Sequence, residues 1–124
     1  MMNKEIGKIT RNIINMLNLL EKEEKTIFIG DSNIEHMKSE HPKDFEKYGN
    51  DIEDILANPT YLARNEKKNS VEFIKEYKID NDFVLVAVRV SGKGTYFVRT
   101  MYVMADEKVE RYFKHNYFIK VAKK

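Results

Sequence analysis

Glu72, Arg89, Tyr96, Thr100 and Tyr102 lie in β-branched and aromatic runs, and strand alternation places them on one surface. An acid, a guanidinium, a hydroxyl and two phenols on one sheet face are parts that metal-free RNA cleavage demands. Attack of a 2′-hydroxyl on the adjacent phosphate needs a base for the hydroxyl proton, an acid for the departing 5′-oxygen, and cations against the extra negative charge. Arg suits the last task because its planar fork binds phosphate bidentately and stays charged. Tyr stacks on a base or donates a proton, and Thr donates a hydrogen bond to a phosphate oxygen. An ordinary exposed ion pair between Glu72 and Arg89, beside half-buried tyrosines, fits the same pattern.

Histidine, with an ordinary pKa of about 6.5, is the side chain best matched to proton transfer near neutrality. The chain has His36, His41 and His115, of which the first two are the candidates for a base or an acid. Five helical residues turn through about 500°, which leaves these two roughly 140° apart and argues against an HExxH-type metal pair. His41 precedes Pro42 and equally suits a helix C-terminus favoured by the macrodipole. His115, between Lys114 and Asn116, reads as a solvated turn residue. The absence of Cys removes disulfides, thiolate zinc sites, iron-sulfur clusters and cysteine nucleophiles. There is no Walker loop, GxGxxG or GxSxG, so nucleotide-fold and α/β-hydrolase readings lack support. No metal and no cofactor is expected.

The elements that must position these groups change character midway. Val71 to Lys78, Phe83 to Val90 and Thr95 to Met104 read as strands of an antiparallel meander, joined at Asp80-Asn81 and at Ser91-Gly92-Lys93-Gly94. A tight turn at Gly92-Lys93 pairs Val90 with Thr95, and so sets Arg89 opposite Tyr96, Leu85 opposite Thr100 and Phe83 opposite Tyr102. A two-residue loop at Asp80-Asn81 sets Glu72 opposite Arg89. The other face then carries Val71, Phe73, Val84, Val86, Val88, Phe97 and Met101 and is the expected core. Lys75 and Arg99 interrupt that face, so they sit at its margins or a bulge turns them out.

The first half reads as mostly helical. Ile6, Ile9, Ile13, Met16 and Leu20 recur at spacings of three and four, which predicts one amphipathic helix over residues 3–25, packed on the domain or on a second copy. Thr26 to Ile29 is a short β-rich run. Ser32 with Glu35 signals a helix start, Pro42 a stop near Glu40, Asn50 with Glu53 a third start and Asn58-Pro59 its end. The expectation is an α+β domain over residues 26–124, preceded by the helix of 1–25, with N-terminal helices on one face of a C-terminal antiparallel β-meander.

With 124 residues, 42% of them hydrophobic and 34% charged, the composition is that of one globular domain. No apolar run reaches the roughly 18 residues of a membrane span, so no membrane role and a cytoplasmic location are expected. The net charge of +2 is unevenly spread: residues 64–124 hold 14 Lys and Arg against 8 Asp and Glu. A basic half of this kind suits a polyanion, and equally a solvated set of strand-edge lysines.

Ile29-Gly30-Asp31-Ser32-Asn33-Ile34-Glu35-His36-Met37-Lys38, followed by His41-Pro42, Asp44-Phe45 and Lys47-Tyr48, resembles a family of phage and prophage nucleases. So do Asn58-Pro59 with Tyr61, Ser70-Val71-Glu72-Phe73 with Lys75, Val86 to Ser91, and Arg99-Thr100-Met101-Tyr102. The family is the phage-encoded branch of the barnase/EndoU/colicin/RelE-like superfamily, and the resemblance covers about residues 27–113. Thr60 departs from the Asp expected before the tyrosine, at a turn. The resemblance implies a small α+β RNase that works without metal, with His36, His41, Lys75, Arg89, Arg99, Thr100 and Tyr102 as its catalytic set. Arg89, Thr100 and Tyr102 share the face derived above, whereas Lys75 and Arg99 fall on the other. Glu72, Tyr96 and Lys93 are expected to contact substrate. The function so implied is a phage or mobile-element endoribonuclease acting on RNA, with an antitoxin or immunity protein as partner if it is a toxin, and self-association through the N-terminal helix. The alternative is a non-catalytic RNA-binding or protein-interaction module of phage origin.

Overall fold

The computed structural model describes residues 3–121. Its strands are β1 (Asn3–Ile9), β2 (Lys25–Gly30), β3 (Tyr61–Asn65), β4 (Ser70–Tyr77), β5 (Asp82–Val90), β6 (Tyr96–Val103) and β7 (Ile119–Lys120). Its helices are α1 (Arg11–Leu17), α2 (Asp31–Glu40), α3 (Pro42–Tyr48), α4 (Ile52–Ala57) and α5 (Asp106–Lys114). The strands form one sheet in the order β1-β2-β6-β5-β4-β3-β7, antiparallel except where β2 runs parallel to β6. The fold is α+β as expected, but the arrangement differs: a strand leads, and β1 and β2 extend the meander at its β6 edge.

The helix expected over residues 3–25 is therefore corrected. Residues 3–9 pair with β2, and only 11–17 are helical. Local signals outweigh the apolar period here. The Thr10 hydroxyl accepts from the Ile13 N–H and caps a start, and Asn18 takes φ 53°, the left-handed end that stops a helix. At Gly7 the strand passes so close to α4 that a Cβ would lie 3.2 Å from Leu56. Of the expected stripe, Ile9 and Ile13 are buried in this chain's own core together with Ile14 and Leu17, Ile6 and Met16 are part-buried against it, and Leu20 is exposed.

The main core lies between the sheet and α1 to α4. Val84, Val86 and Val88 point into it at alternate positions of β5, with Phe73, Met101, Ile27 and Ile55, all fully buried. The opposite face carries a smaller cluster, Ala63, Ile74, Leu85, Ala87 and Met104, against which α5 lays Tyr112 and Val109. Tyr61, Phe83, Phe113 and Phe118 extend that cover as stacked and edge-on rings. Arg89, Thr100 and Tyr102 belong to this second face, beyond what the small cluster fills.

Side-chain bonds tie α3 and α4 to β4 and β5. The Tyr48 hydroxyl donates to Asp82 at 2.5 Å, that of Tyr77 to Asp51 at 3.2 Å, and Lys75 Nζ to Asp54 at 2.5 Å. Bonds from Tyr48 and Lys47 hold the Asp82 carboxyl below its ordinary value, and Lys75 with Asn58 does the same for Asp54. Burial first, then the neighbouring carboxylates, pushes the Tyr48 and Tyr77 phenols far up. The lowered carboxyls stabilise the fold above their unfolded value of 3.8, and that contribution is lost as pH falls through the folded value. The raised phenols stabilise it below their unfolded value of 10.0, and that contribution is lost as pH rises further. The melting temperature is expected to be flat from about pH 5 to about pH 9 and to fall on both sides. Asp82→Asn should lower the plateau and flatten the acid limb, which thermal melts across pH would read.

Candidate active site

Helix α2 brings the two candidate histidines to the open face. It starts where the Gly30 N–H donates to Asn33 Oδ1 at 2.8 Å, one turn of side-chain capping set slightly ahead of the Ser32 signal. It stops at Glu40, because Pro42 opens α3 and holds His41 at φ −135°, ψ 61°, outside helical geometry. Met37 goes fully into the core. His36, on the same helix, bonds through Nε2 to Glu40 Oε1 at 2.7 Å, one turn on. His41 lays its ring on Tyr102, with centroids 5.3 Å apart. Both histidines line one cavity of about 230 Å³. The 140° separation expected of a continuous helix does not apply, since the last of the five steps is not helical.

The sheet supplies the rest of that cavity. Ser70 stands opposite Arg89 and Glu72 opposite Ala87, two residues from the expected Glu72–Arg89 register, because the β4–β5 turn spans Lys78 to Asn81. Between β5 and β6 the loop is also longer than a tight turn, so Val90 faces Tyr96 and Arg89 faces Phe97. A bulge follows: Val88 faces Val98 but Ala87 faces Thr100, leaving Arg99 as the extra residue. This one insertion reverses the facing of everything before it relative to everything after it. Tyr96 and Val98 therefore enter the core, while Thr100 and Tyr102 stay on the open face, and Arg99 is turned out to line the cavity. Arg99 thus joins the site by the bulge, although simple alternation set it on the core face.

Three expected site residues lie elsewhere. Lys75 stands opposite Val84 on the core face, ties β4 to α4 through its pair with Asp54, and lines no part of this cavity. Tyr96 is buried in the core, its phenol pushed up by burial, and lines no part of this cavity. Lys93 sits in the exposed β5–β6 loop, where its N–H donates to Ser91. Glu72 does line the cavity, but as a buried floor: it is 4% exposed and accepts from the Tyr112 hydroxyl at 2.7 Å. Burial, then that bond to Glu72, drives the Tyr112 phenol far up.

Other features were not read from the sequence. Lys108 of α5 donates to the Tyr102 hydroxyl and lies 4.9 Å from the centre of its ring. Its helix was legible in principle, because Asp106 and Glu107 open it and Arg111 and Lys114 close it in the order the macrodipole favours. Glu40, Ser70 and Lys68 also line the cavity. Lys68, Arg89, Arg99 and Lys108 outnumber Glu40 and Glu72 there, so the cavity is cationic. Arg89 Nε is buried without a hydrogen-bond partner. A buried guanidinium N–H left unpaired is costly, and a ligand oxygen in the cavity would repay it. Among the described residues, no three His, Asp or Glu side chains are grouped to hold a metal ion.

A family model described as phage-Barnase-EndoU-ColicinE5/D-RelE like nuclease 3 matches residues 4–111. The chain belongs to this nuclease family. The match reaches further toward the N-terminus than the motifs at 27–113 implied, and so takes in β1 and α1, which the fold also joins to the sheet. Neither the curated proteins nor the solved structures contain a match to this chain. Membership of a nuclease family implies a nucleic-acid substrate, and the cationic cavity has the sign such a substrate needs. No helix among the described residues is long and apolar enough to cross a membrane.

Proposed function

We propose that this nuclease is a metal-independent endoribonuclease that cleaves by attack of a 2′-hydroxyl on the adjacent phosphate. The observation that carries the proposal is the convergence of His36, His41, Arg89, Arg99, Thr100 and Tyr102 on one small cationic cavity, from a helix end and two strands. His41, its ring tilted against that of Tyr102, and His36, oriented by Glu40, serve as the base and the acid in either order. Arg89 and Arg99 hold the non-bridging oxygens, whose charge grows in the transition state. Thr100 donates to the same phosphate, and Tyr102, fixed by Lys108 and His41, positions the scissile group. Glu72 lies under this set and offsets part of the crowded positive charge.

Incubating the purified protein with total RNA in EDTA tests the reading. Cleavage should survive chelation and leave a 2′,3′-cyclic phosphate and a 5′-hydroxyl. Cleavage that stops in EDTA, or that leaves a 5′-phosphate, would rule out this chemistry. Salt-sensitive RNA binding by folded protein, with no product, would favour the non-catalytic binding module.

A further inference from the structure

We infer that the cavity beside the candidate active site holds the flanking stretch of a single-stranded polynucleotide, so that the substrate is a chain of several nucleotides and not a dinucleotide. The inference rests on the nuclease reading for the direction in which it is used. The first cavity, at about 230 Å³, falls short of the roughly 300–1,000 Å³ of sites that enclose a small ligand. It has room for a phosphate and its immediate surroundings. A second cavity of about 620 Å³ adjoins it, since Asn65, Lys68, Glu72 and Lys108 line both.

The second cavity has the chemistry of a nucleic-acid strand. Lys67 and Lys68, on the turn between β3 and β4, face Lys108 and Arg111, which are one turn apart on α5. The acids there are Glu66 and Glu72, and Glu72 already accepts from Tyr112. On the other face of the sheet Lys47 is paired with Asp80 and Asp82, and Lys75 with Asp54. Tyr117 also lines the groove and is 51% exposed, its ring braced by Tyr112 edge-on and by His115. Cations along a groove track a phosphate backbone, and an exposed, braced aromatic ring stacks on an unpaired base. A duplex keeps its bases stacked inside and has none to offer Tyr117. The conjunction therefore selects a single strand.

The test uses an uncleavable 2′-O-methyl RNA octamer, whose binding is read by fluorescence anisotropy across a salt series. Lys67→Gln/Arg111→Gln should make the plot of log affinity against log salt shallower by about 1.4, as expected for two lost phosphate contacts on a single strand. Tyr117→Ala should weaken binding by roughly fivefold to a hundredfold. In cleavage, the wild type should prefer long RNA to a dinucleoside monophosphate. The Lys67→Gln/Arg111→Gln variant should lose roughly tenfold or more of that preference while cleaving the dinucleotide as before. A folded variant with the wild-type salt slope and the wild-type length preference overturns the groove and leaves the nuclease reading intact. Octamer binding with the predicted changes, but no cleavage by the wild type, sinks the nuclease reading and leaves the groove standing.

Discussion

Arg89→Ala is expected to lower RNA cleavage by about 10²–10³-fold, the range seen when one preorganised donor to a developing charge is removed. The guanidinium stands on β5 at the cavity wall, and its Nε is buried with no partner in the protein. That unmet donor is a cost to the folded state, so truncation removes a penalty along with a contact. The melting temperature should therefore move by only about 4 °C or less in either direction, which corresponds to about 1 kcal/mol for a domain of this size. Arg89→Lys separates charge from geometry. An ammonium restores the positive charge but not the planar fork, and should recover at most about tenfold of the loss. Initial rates on a defined RNA, together with melts of the three proteins, check the prediction. Wild-type turnover in a folded Arg89→Ala variant would remove this residue from the mechanism.

Much of the site face was legible because strands carry a period of two. Once the β-rich runs are placed, Glu72, Arg89, Thr100 and Tyr102 share a surface under any register that shifts by an even number of residues. The true β4–β5 register is shifted by two, and it changes the partner of Arg89 from Glu72 to Ser70 without changing its face. What alternation cannot show is an insertion. The bulge at Arg99 sends Tyr96 to the core and Arg99 to the cavity, and the one local sign of it is the charge of Arg99 on an otherwise apolar face. The sequence did mark Lys75 and Arg99 as anomalies on an apolar face. One of these is resolved by an ion pair with Asp54 and the other by the bulge.

The N-terminal third misled for a different reason. A helical period in Ile6, Ile9, Ile13 and Met16 is real as a pattern, yet the chain is a strand up to Ile9 and a helix only after Thr10. A strand at a sheet edge gains its backbone partners from β2, a distant segment, and that gain is invisible to a local window. The same blindness hid the convergence of the histidines. Pro42 correctly predicts the end of α2 at Glu40, but the direction of His41 beyond that end depends on where α3 turns, which is a tertiary matter. Lys108 was missed because α5 carries few apolar residues to mark it, although the charge order at its ends does.

His36→Ala/His41→Ala should reduce cleavage in EDTA by at least about 10²–10⁴-fold, the usual contribution of positioned acid–base groups. The single variants should not behave alike. The His41 ring packs tilted against Tyr102, so His41→Ala removes a proton carrier and a brace together, whereas His36→Ala leaves the brace and frees Glu40. His41→Phe resolves the two roles, because a phenyl ring keeps the ring contact and cannot carry a proton. If His41 transfers a proton, the Phe variant should be nearly as slow as the Ala variant. It should also lose one limb of a bell-shaped dependence of kcat/KM on pH, while its affinity for the 2′-O-methyl octamer stays within about threefold of wild type. If His41 only braces Tyr102, the Phe variant should cleave close to the wild-type rate with both limbs intact. Two groups acting in one step are not additive, so the double variant should be little slower than the worse single one. A double variant that cleaves RNA at the wild-type rate would mean that neither histidine moves the proton. The base and the acid would then have to be found among Lys68, Glu72, Tyr102 and Lys108, the titratable groups of the cavity that remain besides the arginines and Glu40, which pairs with His36.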